Sequence, residues 1–214
     1  MPFELSFENI AVIFFLTLGP LKVILPFARA TLGTVPAFQR AVAWRAVAIS
    51  TIIVLAVALL GPFIMTNWHV SVPAVVITCG IILFYQALRI VMQMPPAPGS
   101  SGQQAGPSQP SPAIAVFPIA IPAIVTAPGI AAIAAVVVLY RQDLAHEAIV
   151  VAILLVMMAL NLLTLWNNEA IFRHGLAGVL PVVGWVLAVL QASLAVQMVI
   201  YSLRLLEVLR WPAS

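Results

Sequence analysis

Charged side chains are nearly missing from this sequence: nine Lys or Arg and six Asp or Glu among 214 residues, 7% of the chain. An ordinary globular domain is about 25% charged, so these residues cannot build a water-facing surface of normal size, and a soluble fold is excluded. The nine basic residues are scattered and form no stripe able to follow phosphates, which argues against a nucleic-acid partner. A single cysteine, Cys79, inside an apolar run, excludes an internal disulfide. His69, His146 and His174 stand apart from one another, so no metal-site spacing exists. His146-Glu147 begins like a zinc-protease helix, but Val150 stands where the second histidine belongs. With no Ser/His/Asp set and no phosphate loop, the chain reads as a non-enzyme that needs no cofactor and no metal. Basic residues are also absent before Lys22, while Glu4 and Glu8 precede it. This is the opposite of a signal peptide's basic start, and the first apolar segment is expected to remain as a span.

What is present is apolar length. Hydrophobic residues make up 64% of the chain, and the mean hydropathy is +1.16. A transmembrane helix needs about 20 mostly apolar residues, and six segments qualify: Ile10 to Ala28, Val42 to Met65, Val72 to Val91, Ala113 to Tyr140, Ala148 to Trp166 and Leu176 to Leu203. They are too long and too uniformly apolar for barrel strands, so the bilayer forces them to be helices. Between the third and fourth lies Met94 to Pro112, with six prolines, three glycines and no charge. It reads as a flexible linker with a reach of roughly 20 Å. The chain therefore divides into a first three-helix half (1–93), the linker (94–112) and a second three-helix half (113–214). The fold class is all-α, a polytopic membrane protein. An odd number of spans per half makes the second half enter from the opposite side, as in an inverted repeat.

The sequence carries an echo of that repeat. Pro20 and Pro26 enclose five residues in the first span, and Pro122 and Pro128 do so in the fourth. Thr78, Gln86 and Arg89 of the third span recur as Ser193, Tyr201 and Arg204 of the sixth, each set on one helical face. Arg29, Arg40, Arg45, Arg89 and Arg173 lie beside the loops that follow odd-numbered spans, against Arg141, Arg204 and Arg210 on the other side. That excess puts the first group in the cytoplasm and both termini on the opposite side, periplasmic or external.

Candidate functional residues gather at the helix breakers. Gly19-Pro20 and Pro128-Gly129 each join a breaker to a flexible residue near mid-span. Unwound helices meeting near the midplane expose amides and carbonyls, a common way to build a transport site; the alternative is a plain kink that shapes packing. Lys22 lies well inside the first span, where a lysine costs roughly 2.5–3.5 kcal/mol. Either it faces the bundle interior and meets an anion or freed carbonyls, or its stem snorkels to an interface. Asn161, Thr164 and Asn168 form a polar stripe on the fifth span, read as a pathway lining or as interhelical hydrogen bonding. The stripe Ser193, Gln197, Tyr201 and Arg204 carries the same pair of readings. The candidate solute site is thus Gly19, Pro20, Lys22 and Pro26 with Thr126, Pro128, Gly129 and Asn161. The tryptophans sit mostly near span ends, as in aromatic belts.

The stretch from Ala115 to Ile133, the final-span run Leu187 to Ile200, and Pro26-Phe-Ala-Arg followed by Arg40 and Arg45 together resemble the MarC family of small six-span inner-membrane proteins, over nearly the whole chain. The departures are Gly19-Pro20 where the family has Asn-Pro, Ala127-Pro128-Gly129 for Gly-Pro-Gly, and Lys22 in place of a small residue. The resemblance implies a bacterial inner membrane and a distant likeness to LysE-type exporters, and it implies no substrate. The expected function is export of a small solute or ion; the alternative is an accessory or scaffolding subunit of a larger membrane complex. The expected partners are the lipid bilayer, such a solute, and a second copy or a larger assembly.

Overall fold

A computed structural model describes residues 7–92, 112–140, 144–168 and 180–208. The linker from 94 to 111, and with it Arg141, Arg173, His174, Arg210 and Trp211, lies outside the described residues. Among the described residues the chain forms helices and turns and no strand.

Helix α1 runs Phe7–Leu18, a 3-10 turn covers Pro20–Lys22, and α2 follows at Ile24–Ala30. The long helices α3 (Pro36–Asn67) and α4 (Val72–Val91) complete the first half. The second half opens with a 3-10 turn at Pro112–Ala115 and a π-type segment at Val116–Ile124, then α5 (Ala127–Leu139), α6 (Leu144–Trp166) and α7 (Leu180–Leu205). Proline marks several starts. Pro20, Pro36, Pro73 and Pro128 all occupy the first or second helical position, where the missing N–H has no intrahelical partner to lose.

Five stretches are long and apolar enough to cross a membrane: Phe7–Ala30, Pro36–Asn67, Val72–Val91, Ala145–Trp166 and Val182–Leu205. They correspond to the first, second, third, fifth and sixth segments of the sequence reading. The fourth departs from it. Instead of one helix over Ala113 to Tyr140, only the last 13 residues before Tyr140 are α-helical. Phe117 (φ −133°, ψ 125°) and Ile121 (φ −130°, ψ 123°) are extended. Each immediately precedes a proline, whose Cδ disfavours the α region in the residue before it. Irregular backbone at membrane depth persists only where protein covers it. Here Ile114, Ala115, Ile119, Ala120, Ile124 and Val125 are buried, while the side chains of Val116, Phe117 and Ile121 are exposed.

Burial identifies the centre of the bundle. In the Phe7–Ala30 stretch 61% of the most apolar window is buried, against 22–33% in the other four. Helix α5 is buried from Ala132 to Val138. The two broken segments are therefore the core, with α3, α4, α6 and α7 around them. Their outward faces carry Ile52, Leu59, Leu60, Phe63, Ile81, Leu163, Val186 and Val189, all exposed, as a lipid-facing surface requires. Trp44, Trp68, Trp166 and Trp185 are exposed as well.

In lipid no hydrophobic force pulls helices together, so close packing and interhelical hydrogen bonds hold the bundle. Helices α4 and α7 lie antiparallel. Gln191 Nε2 donates to the Leu83 carbonyl (3.1 Å) and Ser202 Oγ to the Pro73 carbonyl (2.7 Å). Between these ties a Cβ added at Gly80 would stand 2.7 Å from Val199 Cγ2 and 2.9 Å from the Ala195 carbonyl oxygen. Only glycine allows this approach. Helix α3 packs on α6, α1 on both α5 and α6, and the irregular segment on α2 and α3. At one end the His146 ring stacks on Phe7 and on Tyr140, with centroids 5.2 Å apart in each pair, which joins the starts of α1 and α6 to the end of α5.

Candidate functional site

The break in the first span begins as a backbone problem. Gly19 is extended (φ −70°, ψ 163°), as the residue before a proline tends to be. That turn ends α1 and strips the carbonyls of Thr17 and Leu18 of their helical donors. A Cβ at Gly19 would collide with the Phe15 carbonyl. Buried carbonyls without partners are costly, and the second half supplies the missing donors. Thr126 Oγ1 donates to the Thr17 carbonyl at 3.1 Å, and Asn161 Nδ2 to the Leu18 carbonyl at 2.8 Å.

Thr126 is itself at a break. Extended at φ −100°, ψ 153°, it caps α5 by accepting the Gly129 N–H at 3.1 Å. The end of α1 and the start of α5 thus meet at one hydroxyl. Asn161 also donates to its own helix at the Met157 carbonyl, 2.9 Å away, while its Oδ1 is buried without a partner. This face of the break is closely packed: a Cβ at Gly129 would collide with the Leu18 side chain.

The other face opens. Beside Gly19 lies a cavity of about 180 Å³, walled by Phe15, Leu16 and Leu21 near the break, Ile90 of α4, and Gly184, Leu187, Ala188 and Gln191 of α7. Lys22 also lines it, and its Nζ is buried with no hydrogen-bond partner. The cavity extends from Gln191, near the middle of α7, to Ile90 and Gly184, where α4 finishes and α7 starts. It occupies one half of the bundle's height. Its walls are almost wholly apolar, apart from the lysine and the glutamine.

The structure divides the eight residues named from the sequence. Gly19 and Lys22 line the cavity. Thr126, Gly129 and Asn161 form the hydrogen-bonded junction behind it. Pro20 makes the break itself, Pro128 is buried in the first turn of α5, and Pro26 is half-buried in the first turn of α2. For Lys22, the interior reading describes where its amine lies. For Asn161, interhelical hydrogen bonding is what the side chain does. Thr164 bonds back to the Leu160 carbonyl (2.8 Å) and Asn168 is buried.

The proline pairs do not correspond as their equal spacing suggests. The first span breaks at its first proline, whereas the helix of the fourth restarts at its second. By its place at a helix break, Gly19-Pro20 resembles Ala127-Pro128. The sequence reading does not single out Gln191, Gly184, Ile90 or Phe15 as site residues, and Gln191 shares its apolar span with Gln197, so its polarity alone does not mark it. Among the described residues no group of three His, Cys, Asp or Glu could hold a metal.

No curated protein and no solved structure matches the chain. The family model described as MarC family integral membrane protein matches residues 5–206. With its apolar helices around two broken central segments, this chain belongs to the MarC family of integral membrane proteins.

Proposed function

We propose that this protein exports a small solute or ion across the bacterial inner membrane, and that the solute occupies the cavity beside the broken first helix. The observation that carries the reading is Lys22, which lines that cavity and whose amine is buried with no hydrogen-bond partner. An ionisable side chain inside a membrane bundle is costly, and such residues mark solute pathways more often than they serve packing.

An inverted repeat supports the reading. Residues 112–140 supply a sixth crossing beside the five long stretches. Exchange α1–α2 with 112–139, α3 with α6, and α4 with α7. The contacts of α1 with α6 and α7 then become those of α5 with α3 and α4, and the α3–α6 and α4–α7 pairs map onto themselves. The sequence offset that relates Thr78 to Ser193 also relates Gly80 to Ala195, and these two meet where α4 crosses α7. A pseudo-two-fold axis through that crossing accounts for both facts. With the linker in the cytoplasm, the cavity lies in the inner half of the membrane, where an exporter loads.

The test is reconstitution. Liposomes containing the purified protein are loaded with a defined mixture of amino acids, sugars, short organic acids and monovalent salts, and the retained contents are measured by mass spectrometry over time. Selective loss of one class relative to protein-free liposomes supports export; identical retention of every solute refutes it.

A second reading, a subunit of a larger membrane assembly, draws on one observation. Ser193, Gln197 and Arg204 lie on the outward face of α7, with Val196 and Ile200, along a groove of about 240 Å³. An exposed glutamine amide at mid-span is better satisfied by another chain than by lipid. Blue-native electrophoresis of wild type and Gln197→Leu from mild-detergent extracts separates the two, because only a subunit shifts to a smaller species.

A further inference from the structure

The cavity beside Gly19 specifies a ligand class through its shape, its one charge and the lack of a countercharge among the described residues. At ~30 Å³ per water, about 180 Å³ takes roughly six waters, and hence a solute of about six non-hydrogen atoms. Its walls are Phe15, Leu16, Leu21, Ile90, Leu187 and Ala188, with Gly184 leaving room on the α7 side, since a Cβ there would meet nothing within 4 Å.

The acidic residues among those described are Glu8 at the start of α1, Glu147 at the start of α6 and Glu207 past the end of α7. None lines the cavity. The residue next to Ile90 in the last turn of α4 is another cation, Arg89, its guanidinium 5.8 Å from the Tyr85 ring centroid. Gln191 has committed its Nε2 to the Leu83 carbonyl. Among the described residues no anion reaches this amine, and burying a charge is tolerated only when it is paired. A solute can supply that partner.

We infer that the Lys22 cavity binds a small monocarboxylate of about four carbons, its carboxylate on the Lys22 ammonium and its alkyl body against the apolar walls. This rests on the solute-site reading above and narrows it to a substrate class. A larger acyl chain from the bilayer carries the same head group, and chain length tells the two sources apart. A cationic or zwitterionic amine does not fit, because it would bring a second positive charge to a site with no acceptor carboxylate.

The test measures binding and flux separately, with acetate, butyrate, octanoate and laurate as probes and free lysine as the cationic control. Binding is read by saturation-transfer NMR and by thermal shift on the full chain in nanodiscs; flux is read in the liposomes described above. The expected result is an affinity optimum near butyrate and a loss of about 10- to 100-fold in Lys22→Leu, the size of a charge-assisted hydrogen bond. Lys22→Leu removes an unpaired buried charge, so its melting temperature should equal or exceed that of wild type, which keeps a loss of binding interpretable.

Butyrate binding that depends on Lys22, without flux, supports the anion site and refutes the exporter reading. Flux of a neutral solute or of lysine, without carboxylate binding, keeps the exporter and overturns the inference. An affinity that rises steadily to laurate, or butyrate binding equal in wild type and Lys22→Leu, also overturns it.

Discussion

The junction between the halves makes a quantitative prediction at Asn161. Its amide is the donor for the Leu18 carbonyl, which the turn at Gly19 has deprived of a helical partner. The change Asn161→Leu keeps roughly the same volume in an apolar setting and removes the donor. Interhelical hydrogen bonds in membrane proteins average ~0.6 kcal/mol and reach ~1.7, and an orphaned buried acceptor adds a desolvation cost of order 1–3 kcal/mol. Some of that cost is recovered as neighbours relax, so the expected loss is about 1–2 kcal/mol. It is read by reversible denaturation in mixed micelles, followed by the fluorescence of the five tryptophans. Asn167→Leu is the matched control: that side chain is exposed and donates only to Leu163 of its own helix, so its change should stay below about 0.5 kcal/mol. Thr126→Val releases the adjacent Thr17 carbonyl. Because both bonds hold one helix end, the double variant should deviate from additivity by about 0.5 kcal/mol or more. An Asn161→Leu protein no less stable than Asn167→Leu would refute the reasoning, because the break would then be held by packing alone.

Four further outcomes follow from the same geometry. Gly80→Val forces a side chain into Val199 and the Ala195 carbonyl and should cost about 1–3 kcal/mol as overpacking, measured by the same denaturation. Gly184→Leu, by contrast, projects into open space; it should fill the cavity, abolish solute flux in liposomes and leave the denaturation midpoint nearly unchanged. Cys79 is buried, so a maleimide should label it only after denaturation; fast labelling of the folded protein would contradict the α4 packing. On a Cys79→Ala background, Ser101→Cys should react with an impermeant thiol reagent only after lysis of spheroplasts, and reaction in intact spheroplasts would reverse the orientation.

Five of the six apolar segments were legible because hydropathy reports length and composition, and these suffice for an unbroken span. The third matches at both ends, Val72 to Val91, where Pro73 begins the helix. Hydropathy failed on the fourth for a definable reason: it weighs side-chain carbon and ignores the backbone. Phe117 and Ile121 are as apolar as any span residue, yet each precedes a proline and is driven out of the α region. Equal spacing of the proline pairs was misleading for a related reason. A proline in a helix's first turn, as Pro26 is in α2, breaks nothing. Lys22 could be singled out from cost alone. Gln191 and Gly184 could not, because the face that α7 turns toward the break depends on where it crosses α4.

The two faces of the break together constrain how the site can move. The end of α1 is fixed by donors from the other half on two successive carbonyls, Thr17 and Leu18. On the far side of Gly19, the Pro20–Lys22 turn and α2 carry the lysine against open volume. A displacement of α1 would break both bonds in an apolar interior. A displacement of α2 breaks neither, but it would uncover the buried Ile24 and Phe27 and separate α2 from the irregular segment on which it packs. Gly19 is also the one point on this path where a side chain would strike the preceding turn. The residue that permits the break therefore separates an end of α1 that is held by two donors from residues 113–214 from a turn whose lysine borders the cavity.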